Sequence, residues 1–225
     1  MEPCVEGSAI IKLKSVTLLG IDGAGNRPNI TKAMHHSMRG LEFEDVILIS
    51  PHADYVGMDK INHKIVDKMS FEEWNIFVWN GLKEYIETDY YLFVDTDGFV
   101  VNPNRWTDEF YDYDYIGARW GSAGDHPHIT YCENEKVPCS NNVGNGGFTF
   151  RSKKFLEEAS KLKHDGYSPE DAFLCLKNYH YLISQGIKFA PGELADQFSI
   201  ELRVTDAFGF HGVTNHLDYT IFKIT

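Results

Sequence analysis

Tyr90-Tyr91-Leu92-Phe93-Val94-Asp95-Thr96-Asp97-Gly98 is an apolar run that ends in two acids one residue apart. A buried strand that ends this way delivers carboxylates to the rim of a sheet, where a hard divalent cation can collect them together with substrate phosphates. Asp and Gly are also ordinary turn formers, so the surrounding sequence must separate a surface turn from a metal-phosphate site. An EF-hand loop would need a third ligand before its glycine and a closing Glu. Gly98 comes too early for that.

The flanking pattern supports a sheet edge. Ser15-Val16-Thr17-Leu18-Leu19-Gly20-Ile21 reads as a buried first strand, with Asp22-Gly23-Ala24-Gly25-Asn26 as the loop at its carboxyl end. A helix is expected over residues 30–39 and a strand over 45–49. Ser70 and Glu73 form a capping box, and Phe71, Trp74, Val78, Leu82 and Tyr85 repeat at helical spacing. This second helix leads directly into the 90–94 strand. Alternating strands and helices imply an α/β fold with a Rossmann-like, mostly parallel central sheet flanked by helices, whose ligands sit beyond the carboxyl ends of the strands. Asp22 and Asp95 both lie at such ends. Further on, residues 113–118 suggest another strand, and 121–142 a long polar excursion over the surface. Ser168-Pro169-Glu170-Asp171 opens another capped helix, with Pro at the first helical position and Phe173, Leu176, Tyr179 and Ile183 facing inward.

Composition narrows the function classes. The 225 residues are 43% apolar, 14% aromatic and 24% charged, which fits one globular domain with a substantial core. A net charge of -12 argues against a polyanion binder, so no nucleic-acid polymer is expected as a partner. No apolar stretch approaches the roughly 20 residues of a transmembrane segment, and Met1-Glu2-Pro3-Cys4-Val5-Glu6 lacks the pattern of a signal peptide. The expected location is cytoplasmic. Cys4, Cys132, Cys139 and Cys175 are too few and scattered for a disulfide framework. His126, His128, Cys132 and Cys139 could ligate zinc but lack Cys-x-x-Cys spacing.

Three more segments can carry chemistry. Gly144-Asn145-Gly146-Gly147-Phe148 would let a ligand approach main-chain N–H groups closely, or form a tight turn before the strand 148–150. Asp171 falls in the first turn of a helix, where the dipole would stabilise its charge and lower its pKa, leaving a carboxylate available as a base. Glu170 competes for that role. Phe208-Gly209-Phe210-His211-Gly212 brackets an imidazole with glycines at the end of an expected strand.

In order, Val94-Asp95-Thr96-Asp97-Gly98, Tyr113-Asp114-Tyr115-Ile116-Gly117-Ala118-Arg119-Trp120, Val143-Gly144-Asn145-Gly146-Gly147-Phe148, Pro169-Glu170-Asp171, Phe189-Ala190-Pro191 with Phe198-Ser199-Ile200-Glu201, and Phe208-Gly209-Phe210-His211-Gly212 resemble one family. It is a group of small GT-A-fold glycosyltransferases of bacteria, fungi and large algal viruses, long catalogued as a domain of unknown function. The resemblance spans roughly residues 66 to 212. It implies a single GT-A-type domain over 1–225, with the nucleotide-binding part at about 12–100 and the acceptor and catalytic part at about 101–225. It further implies an inverting enzyme that takes a sugar from a nucleotide-diphosphate donor, UDP-sugar favoured, to a glycan or glycoconjugate acceptor with Mn2+ or Mg2+. On this resemblance Asp97 is the direct metal ligand and Asp95 supports the metal or the ribose, with Thr96 between them at the donor. His211 closes the metal shell and Gly146 and Gly147 flank the donor sugar. Ile21 and Asp22 belong to the loop that holds base and ribose, and Asp171 is the base. Arg119 departs from the family, which more often has Pro there.

Trp106, Trp120 and Tyr131 are candidates for stacking on an acceptor sugar, against the alternative of core packing. Two other classes compete. A phosphatase resembling the haloacid dehalogenases would use Asp95 as nucleophile and Asp97 as acid/base, although that family carries the motif near the start of its domain. A non-catalytic sugar-binding module would use the acids for Ca2+ and have no use for Asp171.

Overall fold

The structure is a computed structural model that describes residues 10–27, 29–52, 54, 59–120, 137, 143–166, 169–201 and 206–212. Its centre is a six-stranded sheet in the spatial order Asn62–Ile65, Asp45–Ser50, Val16–Ile21, Tyr90–Val94, Phe148–Ser152, Tyr115–Ile116. The first four strands are parallel, and Phe148–Ser152 runs antiparallel to both of its neighbours. The mostly parallel α/β sheet expected from the sequence is present.

Alternate residues of these strands feed two cores, as a sheet covered on both faces requires. Leu18, Leu48, Leu92 and Val94 pack on one side with Ile30 and Met34 of the helix Ile30–Ser37. Leu19, Ile21, Ile47, Ile49, Tyr91 and Phe93 pack on the other with Val78 and Leu82. Gly20 lets the first helix sit close, since a Cβ there would lie 2.6 Å from Met34 Sδ.

From Val16–Ile21 the chain crosses to Asp45–Ser50 on one flank and later returns to Tyr90–Val94 on the other. The order of the strands reverses between these two neighbours, and such a switch point opens a crevice at the carboxyl ends. Gly20 stands opposite Val94 in the register, so Ile21 and Asp95 leave the sheet side by side. A second, three-stranded sheet joins Ser199–Ile200, Gly209–His211 and Gly98–Val100. It sets His211 opposite Gly98, which brings the C-terminal histidine to the acidic turn.

Two helices depart from their expected phase for one reason. The capping box at Ser70 forms: its hydroxyl accepts from the Glu73 N–H, and the Glu73 carboxylate accepts from the Ser70 N–H at 2.8 Å. The helix then changes from an α-helical Phe71–Ile76 to a π-turn at Phe77–Gly81 and a 3₁₀ turn at Leu82–Glu84. The π-turn holds more residues per turn, so the apolar stripe cannot stay in line. Val78 and Leu82 are buried while Phe71 is 65% exposed. The later helix repeats this with a π-turn at Phe173–Lys177. Phe173, Leu176 and Tyr179 are buried, but Ile183 is exposed and Leu182 takes the inward position. Pro169 caps this helix rather than occupying its first turn.

Cys175 is a buried free thiol. Cys4, His126, His128, Tyr131, Cys132, Cys139, Ser168 and most of the 121–142 excursion lie outside the described residues. Among the described residues no helix is long and apolar enough to cross a membrane.

Candidate active site

The strand Tyr90–Val94 ends in a tight reversal. The Asp95 N–H donates to the Gly98 carbonyl at 2.9 Å and the Gly98 N–H returns to the Asp95 carbonyl at 3.2 Å, leaving Thr96 and Asp97 at the tip. The two acids therefore meet different fates. Asp95 is only 5% exposed: its Oδ1 accepts from the Thr96 N–H at 2.6 Å, and its Oδ2 accepts from Arg27 Nη1. Asp97 stands out from the tip with its side chain half-exposed. Its carbonyl accepts from the Gly212 N–H at 2.8 Å, which ties the C-terminal strand to the turn.

That tie places His211 Nε2 3.8 Å from Asp97 Oδ1. On the other side of the ring, Nδ1 lies 3.3 Å from Glu201 Oε1. A carboxylate on Nδ1 favours the Nδ1–H tautomer and leaves the Nε2 lone pair facing Asp97, the arrangement of metal-binding histidines. Burial works against charge on this imidazole, but the hydrogen bond to Glu201 and the charges of Glu201, Asp97 and Asp95 outweigh it and raise the pKa above 6.5.

A cleft of about 390 Å³ opens over these groups. Of the residues expected at the site it gathers Asp95, Thr96, Asp97, Gly146, Gly147, Asp171 and His211. Ile21 and Asp22 do not line it. Both are buried, and the Asp22 carboxylate is used within its own loop, accepting from the N–H groups of Asn26 at 3.0 Å and Arg27 at 3.2 Å. Asp22 thus shapes the loop that aims Arg27 at Asp95. Arg27 also lies over the ring of Trp74, 5.7 Å from its centroid.

The glycines of the 144–148 segment are explained by what presses on them. A Cβ on Gly146 would stand 2.4 Å from Glu170 Oε2, and one on Gly147 would stand 2.2 Å from the His211 ring. Asn145, at φ 84, turns the chain into this approach and accepts from the Gly147 N–H at 2.8 Å. Asparagine tolerates that left-handed backbone better than most residues.

Glu170 and Asp171 are adjacent but differently employed. Glu170 is buried and accepts from Arg151 Nη2 at 2.6 Å. Arg151 is fully buried, donates from Nε to Thr149 at 2.8 Å and stacks on Tyr115. The Glu170 N–H donates to Asn75 Oδ1 at 2.7 Å, and the Asn75 amide donates to the Phe71 carbonyl at 2.7 Å. Asp171 accepts only from the neighbouring Ala172 N–H, at 2.7 Å, among the hydrogen bonds of the described residues. The helix-dipole expectation for Asp171 fails in direction. Burial raises its pKa and the charge of Glu201 adds to that, against the Ala172 N–H, His211 and Arg151. The helix continues past Glu170–Ala172 as the π-turn Phe173–Lys177, so its N-terminus is present, and burial outweighs it.

Arg27, Asn75 and Arg151 carried no local signal in the sequence, and Glu201 stood only at the end of the Phe198-Ser199-Ile200-Glu201 motif with no role attached, because each acts on a partner supplied by the fold. Trp120 is buried over Gly144, and Trp106 packs edge-on against Phe110, Phe150 and Phe208. Both serve the core.

Residues 59–215 match the family described as Protein of unknown function (DUF5672). The chain belongs to that family. The DUF5672 match covers every cleft residue except Arg27. No curated protein sequence matches the chain. Among solved structures, the chain is similar to the galactosyltransferase LgtC in complex with donor and acceptor sugar analogues, at 12% identity and a TM-score of 0.49, covering 89% of this chain and 87% of that one. It is also similar to a Bacillus anthracis protein assigned as a glucose-1-phosphate thymidylyltransferase, in complex with a sucrose, at 12% identity and a TM-score of 0.43, covering 84% and 97%.

Proposed function

We propose that this DUF5672 protein is a metal-dependent, inverting glycosyltransferase of GT-A type. On this reading it moves a sugar from a nucleotide-diphosphate donor, UDP-sugar favoured, to a hydroxyl of a glycan acceptor. The observation that carries the reading is the convergence of Asp97 and His211, 3.8 Å apart, with the Asp171 carboxylate in the same cleft. These residues come from three separated stretches of the chain and meet at the switch point of the sheet.

The donor set suits a divalent cation. Among the described residues no three acidic, histidine or cysteine side chains stand together as a complete cage. A carboxylate and an imidazole with open positions instead fit Mn2+ or Mg2+ that takes its other ligands from phosphate oxygens and water. Asp97 and His211 would hold the ion, with Glu201 fixing the imidazole; Asp95, already bonded to Arg27 and Thr96, would support the turn from below. When bound, the cation neutralises charge developing on the departing diphosphate.

The protein's own groups account for the remaining chemistry. Among the described residues Arg27 is the only Lys or Arg lining the cleft, so it can add a positive charge toward the diphosphate. Asp171 Oδ2 would accept the proton of the acceptor hydroxyl as that oxygen bonds to the anomeric carbon and the bond to the diphosphate breaks, its electron pair leaving with the phosphate. A carboxylate whose pKa is raised by burial is a stronger base than an exposed one. Attack opposite the leaving group inverts the anomeric configuration.

The phosphatase alternative fits less well. Its nucleophile would be Asp95, whose carboxylate is buried with both oxygens hydrogen-bonded. A thermal-shift panel of UDP, GDP, CDP and dTDP, each with Mn2+ and with EDTA, tests the reading. A ligand at about one hundred times its Kd adds about 2.7 kcal/mol, or about 5–10 °C here. The reading expects a manganese-dependent rise with one nucleotide; no rise with any of the four overturns it.

A further inference from the structure

Phe71 belongs to a helical apolar stripe, yet its ring is 65% exposed on the rim of the cleft. It is not isolated there. Its plane lies 17° from that of Trp74 with the centroids 6.3 Å apart, and Arg27 covers the Trp74 ring further along the wall. Trp74 Nε1 is buried with no hydrogen-bond partner among the described residues. A large exposed aromatic on the wall of a polar, acid-lined cleft leaves an apolar face without a partner, and such faces mark binding sites when they adjoin convergent polar groups.

The position of Phe71 selects the occupant. Arg27, Asp95, Asp97 and His211 define the end of the cleft that suits a diphosphate and its cation. The backbone of Phe71 is also tied to the turn that carries Glu170 and Asp171. Its carbonyl accepts from the Asn75 amide, and the same Asn75 side chain accepts from the Glu170 N–H, one residue before Asp171. One asparagine thus ties the backbone of Phe71 to the turn that precedes the proposed base.

We infer that Phe71, backed by Trp74, is a stacking platform for the pyranose ring of the acceptor, holding the apolar C–H face of that sugar so that one hydroxyl reaches Asp171. The inference rests on the transferase reading and refines it, because it moves an acceptor contact into the 12–100 part of the chain. Trp106 and Trp120, by contrast, are committed to the core.

The test uses the full chain with saturating UDP and Mn2+ and follows saturation-transfer NMR to methyl β-D-glucopyranoside, methyl β-D-galactopyranoside and methyl α-D-mannopyranoside. UDP affinity is measured in parallel by calorimetry. At least one glycoside is expected to bind the wild type, to bind Phe71→Ala about tenfold more weakly, and to regain affinity in Phe71→Trp, with UDP affinity equal in all three. Equal glycoside binding by wild type and Phe71→Ala overturns the inference, as does a wild type that binds UDP but none of the glycosides. A loss of UDP affinity in Phe71→Ala overturns it too and assigns the ring to the nucleobase. A wild type that binds none of UDP, GDP, CDP and dTDP is a different result, and it removes the transferase reading itself; if another of the four binds instead, it replaces UDP in the test.

Discussion

Replacing Glu170 with Gln keeps the shape of the side chain and removes its charge, which isolates the cost of leaving Arg151 buried without a counter-ion. Arg151 has no contact with solvent, its Nη2 bonds Glu170 at 2.6 Å, and its Nε bonds the neutral hydroxyl of Thr149 at 2.8 Å. Breaking a buried ion pair from one side costs about 3–5 kcal/mol, because the remaining charge is stranded in low dielectric. The Gln oxygen can still accept one hydrogen bond, so the lower end, about 3 kcal/mol, applies. For a chain of this size that is about 6–12 °C in Tm. Urea denaturation followed by tryptophan fluorescence measures it, with the m-value checking that both variants unfold alike. Combining Glu170→Leu with Arg151→Met removes both charges and should cost clearly less than the two single changes added together. A loss below about 1 kcal/mol for Glu170→Gln, typical of a solvent-screened pair, would refute the argument that this pair is a buried anchor for the Asp171 turn.

Other predictions follow from the same geometry. Asp171→Asn should abolish transfer yet stabilise the fold at neutral pH. Burial raises the pKa of Asp171 above its unfolded value, so the folded wild type loses stability as pH climbs from the unfolded to the folded pKa, and the variant does not. The gap between them should close in acid, below the ordinary range of an aspartate in the unfolded chain, measured by denaturation across pH. Protons and metal compete for His211 Nε2, so the thermal shift given by UDP with Mn2+ should fade as pH falls through the raised His211 pKa. Glu201→Gln removes the largest of the influences that raise that pKa, leaving Asp97 and Asp95, and should move the acid edge to lower pH while weakening metal affinity about 10–100-fold. Gly147→Ala places a methyl 2.2 Å from the imidazole. It should lose the manganese-dependent shift, while a Gly166→Ala control, whose added Cβ meets nothing within 4 Å but is strained by a φ of 82°, should lower the Tm of the free protein and keep the shift.

Much of the frame was legible because buried strands are local objects. The runs at Val16–Ile21, Asp45–Ser50 and Tyr90–Val94 are apolar enough to identify themselves, and the Ser70–Glu73 capping box formed as written. Asp95, Asp97, Asp171, Gly146, Gly147 and His211 were named from motif spacing, and the fold brings all six to one cleft. The misses have physical causes. Phe71 and Ile183 were assigned by a 3.6-residue period that a π-turn interrupts in each helix. Asp171 was judged by a helix dipole, but burial dominates. Asp22 stood at the right strand end, yet its carboxylate turned inward to hold its own loop. Arg27 is invisible locally, since its role comes from Asp95, 68 residues away; Glu201 closes a quoted motif, but its role comes from His211, ten residues on across a strand pairing.

The most direct test of the central claim is nucleotide release from uridine, guanosine, cytidine and deoxythymidine diphosphate sugars, assayed with Mn2+ and with EDTA for the wild type and for Asp97→Ala. The account predicts that one nucleotide class is released by the wild type, that EDTA stops the release, and that Asp97→Ala does not restore it with added metal. Release that proceeds equally in EDTA and in Asp97→Ala, or no release from any donor, would contradict the assignment of Asp97 and His211 to a metal-diphosphate site.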